Sequence, residues 1–294
     1  MCTIRQNGIL TLFFALLTVL LLLYISTSNS KRGFSSSAVD KVSRNFSAWH
    51  DCLSQNISSL EGNPEDLWWN LKRGIKLCEQ IPEMEGLIIG DYPNSDEIKR
   101  HMVPKTQEPS VIVTLGIGHD TIAETKVMKD LPHGVEYFGA DPMHEINEDL
   151  YTKLPGKYFP FAVGESAGLA DASVLINTTY VTRTVVNVDI IYFLKNLVQR
   201  SFIDDIWIDG EGAEFGLFDH FYNGGKFDEA GITFCQFNIE IHMPDNYQKK
   251  LFHDFIFRLM KDRRYGIYRV FQRRHMRLFM LNFADEECVY KYIL

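Results

Sequence analysis

The chain has 294 residues, of which 46% are hydrophobic and 23% charged, and its 38 acidic and 30 basic side chains give a net charge of −8. This composition excludes a disordered chain, a collagen and a disulfide-stabilised miniprotein. The acidic balance argues against a general polyanion-binding surface, so we expect no nucleic-acid partner.

An apolar segment near the N-terminus is the first predicted element. No charged side chain occurs from Gln6 to Ser30, and residues 9–25 form a 17-residue apolar run, which is about the shortest helix that spans a bilayer. We predict a short cytosolic tip and a transmembrane signal anchor over residues 1–30, because the run is longer than the apolar region of a secretory signal peptide. A cleaved signal peptide is the alternative.

Motifs for N-glycosylation begin at Asn45, Asn56 and Asn177. Such motifs accept glycans in the secretory pathway. We therefore predict a single-pass membrane protein whose C-terminal domain is lumenal or extracellular and whose N-terminal helix has the membrane as its partner.

The cysteines agree with an oxidising compartment. Apart from Cys2 in the cytosolic tip, four remain, and an even number favours two disulfides. Three connectivities are open. We favour Cys52–Cys78 with Cys235–Cys288, because each pair stays within one section of the chain. Four free thiols are the alternative, and the absence of a short C-x-x-C spacing argues against a cysteine metal site.

Residues 31–80 are predicted to form a stem and a leading helix. Residues 31–62 are polar and rich in serine. Asn63 then offers a helix cap, Pro64 suits the first helical position, and the apolar residues that follow recur at helical spacing. The main domain is predicted over residues 81–294.

A strand, a glycine turn and a helix follow in that order. Residues 111–115 are a continuous apolar run, typical of a parallel strand buried on both faces, and Gly116 and Gly118 come directly after it. Asp120 offers a cap for the helix, whose N-terminus would present free N–H groups to a ligand. A second strand ends at Asp141, at the distance where a nucleotide-type ligand has its ribose hydroxyls. An ordinary α/β turn with a surface aspartate is the alternative.

Three later strands are predicted at residues 158–163, 205–208 and 232–242. In an open α/β sheet, ligands bind outside the C-terminal ends of the strands. The side chains at such ends are Asp141, Glu165, Asp209, Glu211, Glu240 and His242. Their convergence predicts one site.

Four sequence elements resemble the FkbM-type methyltransferase family, most of all its membrane-anchored animal branch. They are Leu115-Gly116-Ile117-Gly118, Gly139-Ala140-Asp141, Ala162-Val163-Gly164-Glu165 and Ile208-Asp209-Gly210-Glu211-Gly212-Ala213-Glu214. The resemblance covers about residues 80–285. It implies an α/β, Rossmann-like class I methyltransferase fold, a three-layer sandwich around a seven-stranded, mostly parallel sheet with one antiparallel strand. Residues 266–271 and 275–283 are predicted to form its terminal hairpin.

The resemblance also implies a cofactor site for S-adenosylmethionine. Gly116 and Gly118 would line the cofactor, Asp141 would hold its ribose, and Glu165 would lie near its adenine.

The chain departs from the family pattern at three positions. Thr114 stands where an acid is usual, Asp120 where a third glycine is usual, and Trp207 where lysine is frequent. Loss of the acid at position 114 removes a partner for the methionine ammonium group of the cofactor.

Proton transfer during methylation is assigned to Asp209 and His242. Methyl transfer is an in-line displacement, so the enzyme aligns the reactants and removes a proton from the hydroxyl acceptor. Histidine titrates near neutral pH, whereas Asp209 would need a raised pKa or a metal ion. Asp209, Glu240 and His242 are also a candidate set for one divalent cation. A hydrogen-bonded, structural histidine is the alternative for His242.

The sequence therefore predicts an S-adenosylmethionine-dependent O-methyltransferase for a hydroxyl acceptor, either a small molecule or a glycan. The alternative is a non-catalytic, membrane-tethered or secreted binding module, which Thr114 and Asp120 favour. A membrane-anchored glycosyltransferase suits the topology but lacks a D-x-D motif at a strand end. Seven bases over residues 261–277 predict a solvated face, with recognition of an acidic acceptor or a membrane surface as the alternative.

Overall fold

The apolar runs of the sequence form the central strands of an α/β fold. A computed structural model describes residues 36–131, 134–176 and 179–294. The strands in chain order are β1 (Gly90–Pro93), β2 (Ile98–His101), β3 (Ser110–Leu115), β4 (Val135–Ala140), β5 (Gly156–Phe159), β6 (Ala162–Gly164), β7 (Gly168–Ile176), β8 (Thr179–Asp189), β9 (Phe202–Ile208), β10 (Thr233–Ile241), β11 (Tyr265–Gln272) and β12 (Met276–Asn282).

Helices connect most of these strands. The α-helices are α1 (Ser36–Ile57), α2 (Pro64–Cys78), α3 (Ile122–Asp130), α4 (His144–Thr152), α5 (Ile190–Tyr192), α6 (Lys226–Glu229), α7 (Asn246–Asp262) and α8 (Glu286–Cys288). Tighter 3₁₀ helices occur at Ser58–Leu60, Pro82–Met84 and Ala213–Phe221, and π-helical turns occur at Phe193–Val198 and Val289–Ile293.

The described residues form a seven-stranded sheet in the order β11-β12-β10-β9-β3-β4-β5. Neighbours from β10 to β5 pair in parallel, whereas β12 is antiparallel to both β10 and β11. One strand therefore runs against the other six, which confirms the predicted mostly parallel sheet. The terminal hairpin is also confirmed, as β11 and β12.

The sheet separates two apolar layers. Alternate side chains of a strand point to opposite faces, so Val111, Val113 and Leu115 enter one hydrophobic cluster, while Ile112 enters the other. The first cluster includes buried residues of α1, α2 and α7, and the second includes buried residues of α3 and α4. This arrangement is a three-layer α/β/α sandwich.

The segment predicted to be a polar stem contains a helix with a buried face. Phe46, Trp49, Leu53 and Ile57 of α1 are buried in the first cluster. Their spacing places them on one side of a helix. The stem prediction is therefore wrong for this part of the chain, because an apolar stripe was hidden among serines and charged residues.

The leading helix begins where the sequence places it. The Asn63 side chain accepts a hydrogen bond from the Asp66 N–H, and Pro64 is the first residue of α2. Such a cap satisfies a backbone donor that the helix itself cannot pair.

The strand predicted over residues 158–163 is divided in two. Gly156–Phe159 joins the main sheet as β5, whereas Ala162–Gly164 pairs with β8 in a separate sheet of order β6-β8-β7. Pro160 lies between them and has no N–H to donate to a ladder.

The long β7–β8 hairpin was not predicted, because most of its side chains are exposed or half-buried and show no core pattern.

Both favoured disulfides are present. Cys52–Cys78 links α1 to α2, and Cys235–Cys288 links β10 to α8.

Asn45 and Asn56 lie on α1, whereas Asn177 and the predicted anchor at residues 1–30 lie outside the described residues. None of the helices in the described part of the chain is both long and apolar enough for a membrane span.

Most of the seven basic residues over residues 261–277 are exposed, which fits the predicted solvated face. The two half-buried members pair with carboxylates. Arg264 pairs with Asp228 through both guanidinium nitrogens, and Arg277 contacts the carboxylates of Glu97 and Glu240.

Candidate functional site

A cleft of about 550 Å³ opens at the C-terminal ends of β3, β4 and β9. Side chains of the β7–β8 hairpin line its other side. The residues predicted to bind the cofactor, Gly116, Gly118, Asp141 and Glu165, all line this cleft, as does Asp209. His242 lies at its edge, in contact with Asp209.

The glycine turn after β3 requires glycine for two different reasons. Gly116 has φ +83°, and a Cβ atom there would lie 2.1 Å from the backbone oxygen of Asp209. Gly118 has φ +63°, but a Cβ atom there would meet no atom within 4 Å. Gly116 therefore allows two strand ends to meet, whereas Gly118 keeps the cleft side of the turn open to a ligand.

Asp141 holds this turn in place. Its carboxylate accepts hydrogen bonds from the N–H groups of Ile117, Gly118 and Met143, at 2.8, 3.4 and 2.8 Å. A carboxylate has about four acceptor sites, so about one is left for a ribose hydroxyl. The N–H groups of the turn at Ile117 and Gly118 are therefore already paired with a side chain of the domain.

Side chains also accept hydrogen bonds between the turn and α3. Asp120 accepts from the Ile122 N–H at 2.7 Å, and Asn147 accepts from the His119 N–H at 2.9 Å. The predicted cap at Asp120 is displaced by one residue, because α3 runs from Ile122 to Asp130 and its N-cap position is Thr121, whose side chain makes no capping hydrogen bond.

Glu165 follows β6 and is exposed at the cleft. Its carboxyl group packs over Gly216, where an added Cβ atom would lie 2.6 Å from Glu165 Cδ. This glycine determines how closely the carboxyl group approaches the 3₁₀ helix, and no motif in the sequence pointed to it.

Thr114 does not line the cleft. Its side chain is buried, donates a hydrogen bond to Glu124 and accepts one from the Tyr151 hydroxyl. Burial, partly offset by hydrogen bonding and by the charge of Lys99, raises the pKa of Glu124 to about 7. A buried acid thus lies next to Thr114, on helix α3, and no pattern in the sequence predicts it.

His242 is surrounded by carboxylates. Its Nδ1 lies 3.1 Å from Glu214 Oε1, and its Nε2 lies 3.5 Å from Asp209 Oδ1 and 3.3 Å from Glu211 Oε2. Its backbone N–H also donates to Glu214, at 2.8 Å. Glu214 is fully buried, and it accepts from the Gly212 N–H as well.

These contacts change the protonation expected for His242 and Asp209. Burial alone would lower the pKa of His242, but its contacts with Glu211 and Glu214 and the charge of Asp209 outweigh burial and raise that pKa to about 11. Burial and the nearby charge of Glu240 raise the pKa of Asp209 well above its usual range. His242 is therefore an imidazolium at neutral pH, which corrects the premise that it titrates there.

A buried ion network lies behind Asp209. Glu97 pairs with Lys99 and Arg277, and Arg277 also pairs with Glu240 at 2.9 Å. Glu240 is thus held by an arginine. Glu97 and Lys99 were not predicted as site residues, because they lie in and beside the short strand β2, which has no apolar pattern.

The sequence matches the family model described as the methyltransferase FkbM domain over residues 71–267, more than half of the chain. It is 22% identical over 263 residues to the uncharacterized protein C28H8.7 of Caenorhabditis elegans, covering 87% of this chain and 83% of that protein. Among solved structures, it is similar to the precorrin-6y C5,15-methyltransferase of Geobacter metallireducens, with 12% identity and a TM-score of 0.31, covering 60% of this chain and 81% of that one. The family model carries the assignment: this chain belongs to the FkbM methyltransferase domain family.

Proposed function

We propose that the protein transfers a methyl group from S-adenosylmethionine to a hydroxyl acceptor. The observation that supports this most directly is the cleft, because the turn after β3, Asp141 at the end of β4, Glu165 and Asp209 all line it. The open space beside Gly118 fits a ligand that approaches the backbone closely.

Asp209 is the proton acceptor in this proposal. It lines the cleft, and its raised pKa makes it a stronger base than an ordinary carboxylate. His242 is already protonated at neutral pH, so we assign it a positioning role, in which it orients Asp209 and Glu211. S-adenosylmethionine supplies the methyl group, and the protein aligns the acceptor oxygen with it.

Calorimetry of the disulfide-bonded protein with S-adenosylmethionine tests cofactor binding. We expect saturable heat, weakened in Asp141→Asn and retained in Asp171→Asn, which changes another carboxylate lining the cleft. Absence of heat with the folded wild-type protein contradicts the proposal. Transfer of labelled methyl groups to a panel of glycans and small alcohols then tests the acceptor class, and Asp209→Asn should lose turnover while it still binds the cofactor.

A non-catalytic binding module is the second candidate, and Thr114 favours it. The Thr114 side chain is buried away from the cleft and offers no carboxylate to the ammonium group of the cofactor. Cofactor binding without transfer to any acceptor would favour this candidate, as would a ligand that competes with S-adenosylmethionine.

We also propose that the α/β domain, which includes the packed faces of α1 and α2, faces the lumen of the secretory pathway or the cell exterior, attached by an anchor within residues 1–30. The two disulfides support an oxidising compartment. Glycosidase treatment of the protein from its native host tests this topology. A shift on gels that is lost on replacing Asn45, Asn56 and Asn177 is expected, and a complete lack of N-glycans counts against it.

A further inference from the structure

Three potential metal ligands converge at the edge of the cleft. Asp209 follows β9, Glu211 lies two residues further on, and His242 follows β10. One ligand atom from each of them lies within 4.8 Å of the others. Parallel strand ends thus bring together two carboxylates and one imidazole that are separate in the sequence.

The spacing of these atoms leaves room for a cation between them. Nε2 of His242 lies 3.5 Å from Asp209 Oδ1 and 3.3 Å from Glu211 Oε2. Both distances exceed the roughly 2.9 Å of a typical N–H···O hydrogen bond. Ligands that are each about 2.1 Å from a tetrahedral metal lie about 3.4 Å from one another.

The imidazole is held in the orientation that a ligand needs. Glu214 is fully buried and lies 3.1 Å from Nδ1, so Nε2 is directed toward Asp209 and Glu211. Metal-binding histidines commonly donate their other ring N–H to a carboxylate in this way, which fixes the ring and its tautomer. Glu214 itself is fixed by the backbone N–H groups of Gly212 and His242.

A second observation points to a missing partner. Asp209 Oδ1 is buried, and among the described residues it has no hydrogen-bond donor. Buried polar atoms are nearly always paired, and an orphaned one indicates an absent ion or water. The orphaned oxygen is the same atom that lies beside Nε2 of His242.

A neighbouring set, Glu240 with His242 and His275, fits less well. Glu240 Oε2 already lies 2.9 Å from the Arg277 guanidinium. The Nδ1 atom of His275 accepts a hydrogen bond from the Met243 N–H. Glu240 is already ion-paired with Arg277, and one ring nitrogen of His275 already accepts a hydrogen bond, so the set favoured here has Glu211 in place of Glu240.

We propose that Asp209, Glu211 and His242 bind one divalent cation, with Glu214 as a positioning residue. Carboxylate oxygens with one neutral imidazole nitrogen suit first-row cations such as Mn²⁺ and Zn²⁺. The cation takes the place of the proton that Nε2 of His242 carries in the metal-free protein, so metal binding releases one proton. If the proposed methyl transfer is correct, the cation binds the acceptor hydroxyl and lowers its pKa, so that its proton passes to water and Asp209 acts as a ligand of the cation in place of the proton acceptor. The cation site itself does not depend on that reaction.

Titration of the metal-free, disulfide-bonded protein with Mn²⁺, followed by electron paramagnetic resonance, tests the site. We expect one bound Mn²⁺ per chain, with affinity lowered at least about 10-fold in Asp209→Asn and Glu211→Gln. Asp171→Asn is the matched control, because Asp171 lines the same cleft but lies outside the three-ligand set. A parallel titration with Zn²⁺, followed by calorimetry, covers the second metal.

Glu214→Gln separates a built site from loose attraction to acids. It keeps the three ligands, yet we expect about 10- to 100-fold weaker Mn²⁺ binding, because the imidazole loses its carboxylate partner. Circular dichroism and thermal unfolding check that each variant folds. If Glu214→Gln does not fold, the ligand variant Glu211→Gln, on a partly exposed side chain, still tests whether the site binds metal. Failure of both metals to bind the folded wild-type protein overturns the proposal, as does binding that all variants retain. The titration contains neither S-adenosylmethionine nor an acceptor, so a failure to bind metal does not bear on the proposed methyl transfer.

Discussion

Glu124 carries a carboxyl group that folding places in an unfavourable environment. It is 3% exposed, beneath the glycine turn, with the Thr114 hydroxyl as a hydrogen-bond donor. Burial raises its pKa from 4.5 to about 7. The protein must therefore either protonate this side chain or hold a buried charge, and pH decides between the two.

The direction of the pH effect on stability follows from the linkage between proton binding and folding. The folded state binds the Glu124 proton more tightly than the unfolded state, so stability is highest below pH 4.5, falls as pH rises toward 7, and remains low above it. A shift to about 7 corresponds to a loss of about 2.5 kcal/mol between pH 5 and pH 8. Glu124→Gln keeps the shape and the acceptor oxygen but cannot ionise.

Denaturant unfolding of oxidised wild type and Glu124→Gln at pH 5 and pH 8 measures this loss. We expect the variant to gain about 2.5 kcal/mol relative to wild type between the two pH values. Glu229→Gln, at an exposed position on α6, controls for the substitution itself. If the wild-type and Glu124→Gln curves differ equally at both pH values, the reasoning from burial is wrong.

Three further predictions concern the turn, the first helix and a disulfide. Gly116→Ala should prevent folding, because the added Cβ would collide with the backbone at the end of β9. Gly118→Ala should fold, with about 1 kcal/mol less unfolding free energy, and should bind S-adenosylmethionine more weakly in calorimetry. Trp49→Ala should cost about 3–5 kcal/mol in denaturant unfolding, and a near-zero cost would return this segment to a stem. Replacing the Cys52–Cys78 pair with serines, which opens a loop of 26 residues, should cost about 3.5 kcal/mol in the same assay.

Much of the fold could be predicted because its signals are local. The continuous apolar run of β3 predicts a strand covered on both faces, and the capped start of α2 predicts a helix boundary. The strand and the helix boundary are determined by neighbours in the sequence. The cysteine pairing is less local, because the confirmed pairs are 26 and 53 residues apart and were matched only by section of the chain.

Other parts depend on contacts that no local pattern shows. The β7–β8 hairpin is held by pairing between its own strands, with little burial to create a period of two. Helix α1 did have a signal, since Phe46, Trp49, Leu53 and Ile57 recur three or four residues apart. The serine-rich composition indicates a stem, but the spacing of the apolar residues indicates a packed helix and is the better guide.

For the acids at the strand ends, the sequence likewise does not show which carboxylate supports the structure and which is available for chemistry. Asp141 and Asp209 both end parallel strands and both line one cleft, yet they differ in the donors that reach them. Backbone N–H groups occupy most of Asp141, which therefore supports the turn. Among the described residues no hydrogen-bond donor reaches Asp209 Oδ1, so this oxygen keeps its acceptor capacity for the proton or the cation that we propose it binds. The positions of these residues in the sequence predict that their carboxylates meet at one cleft. Only the arrangement of hydrogen-bond donors in the folded protein distinguishes a carboxylate that supports the turn from one that is available for chemistry.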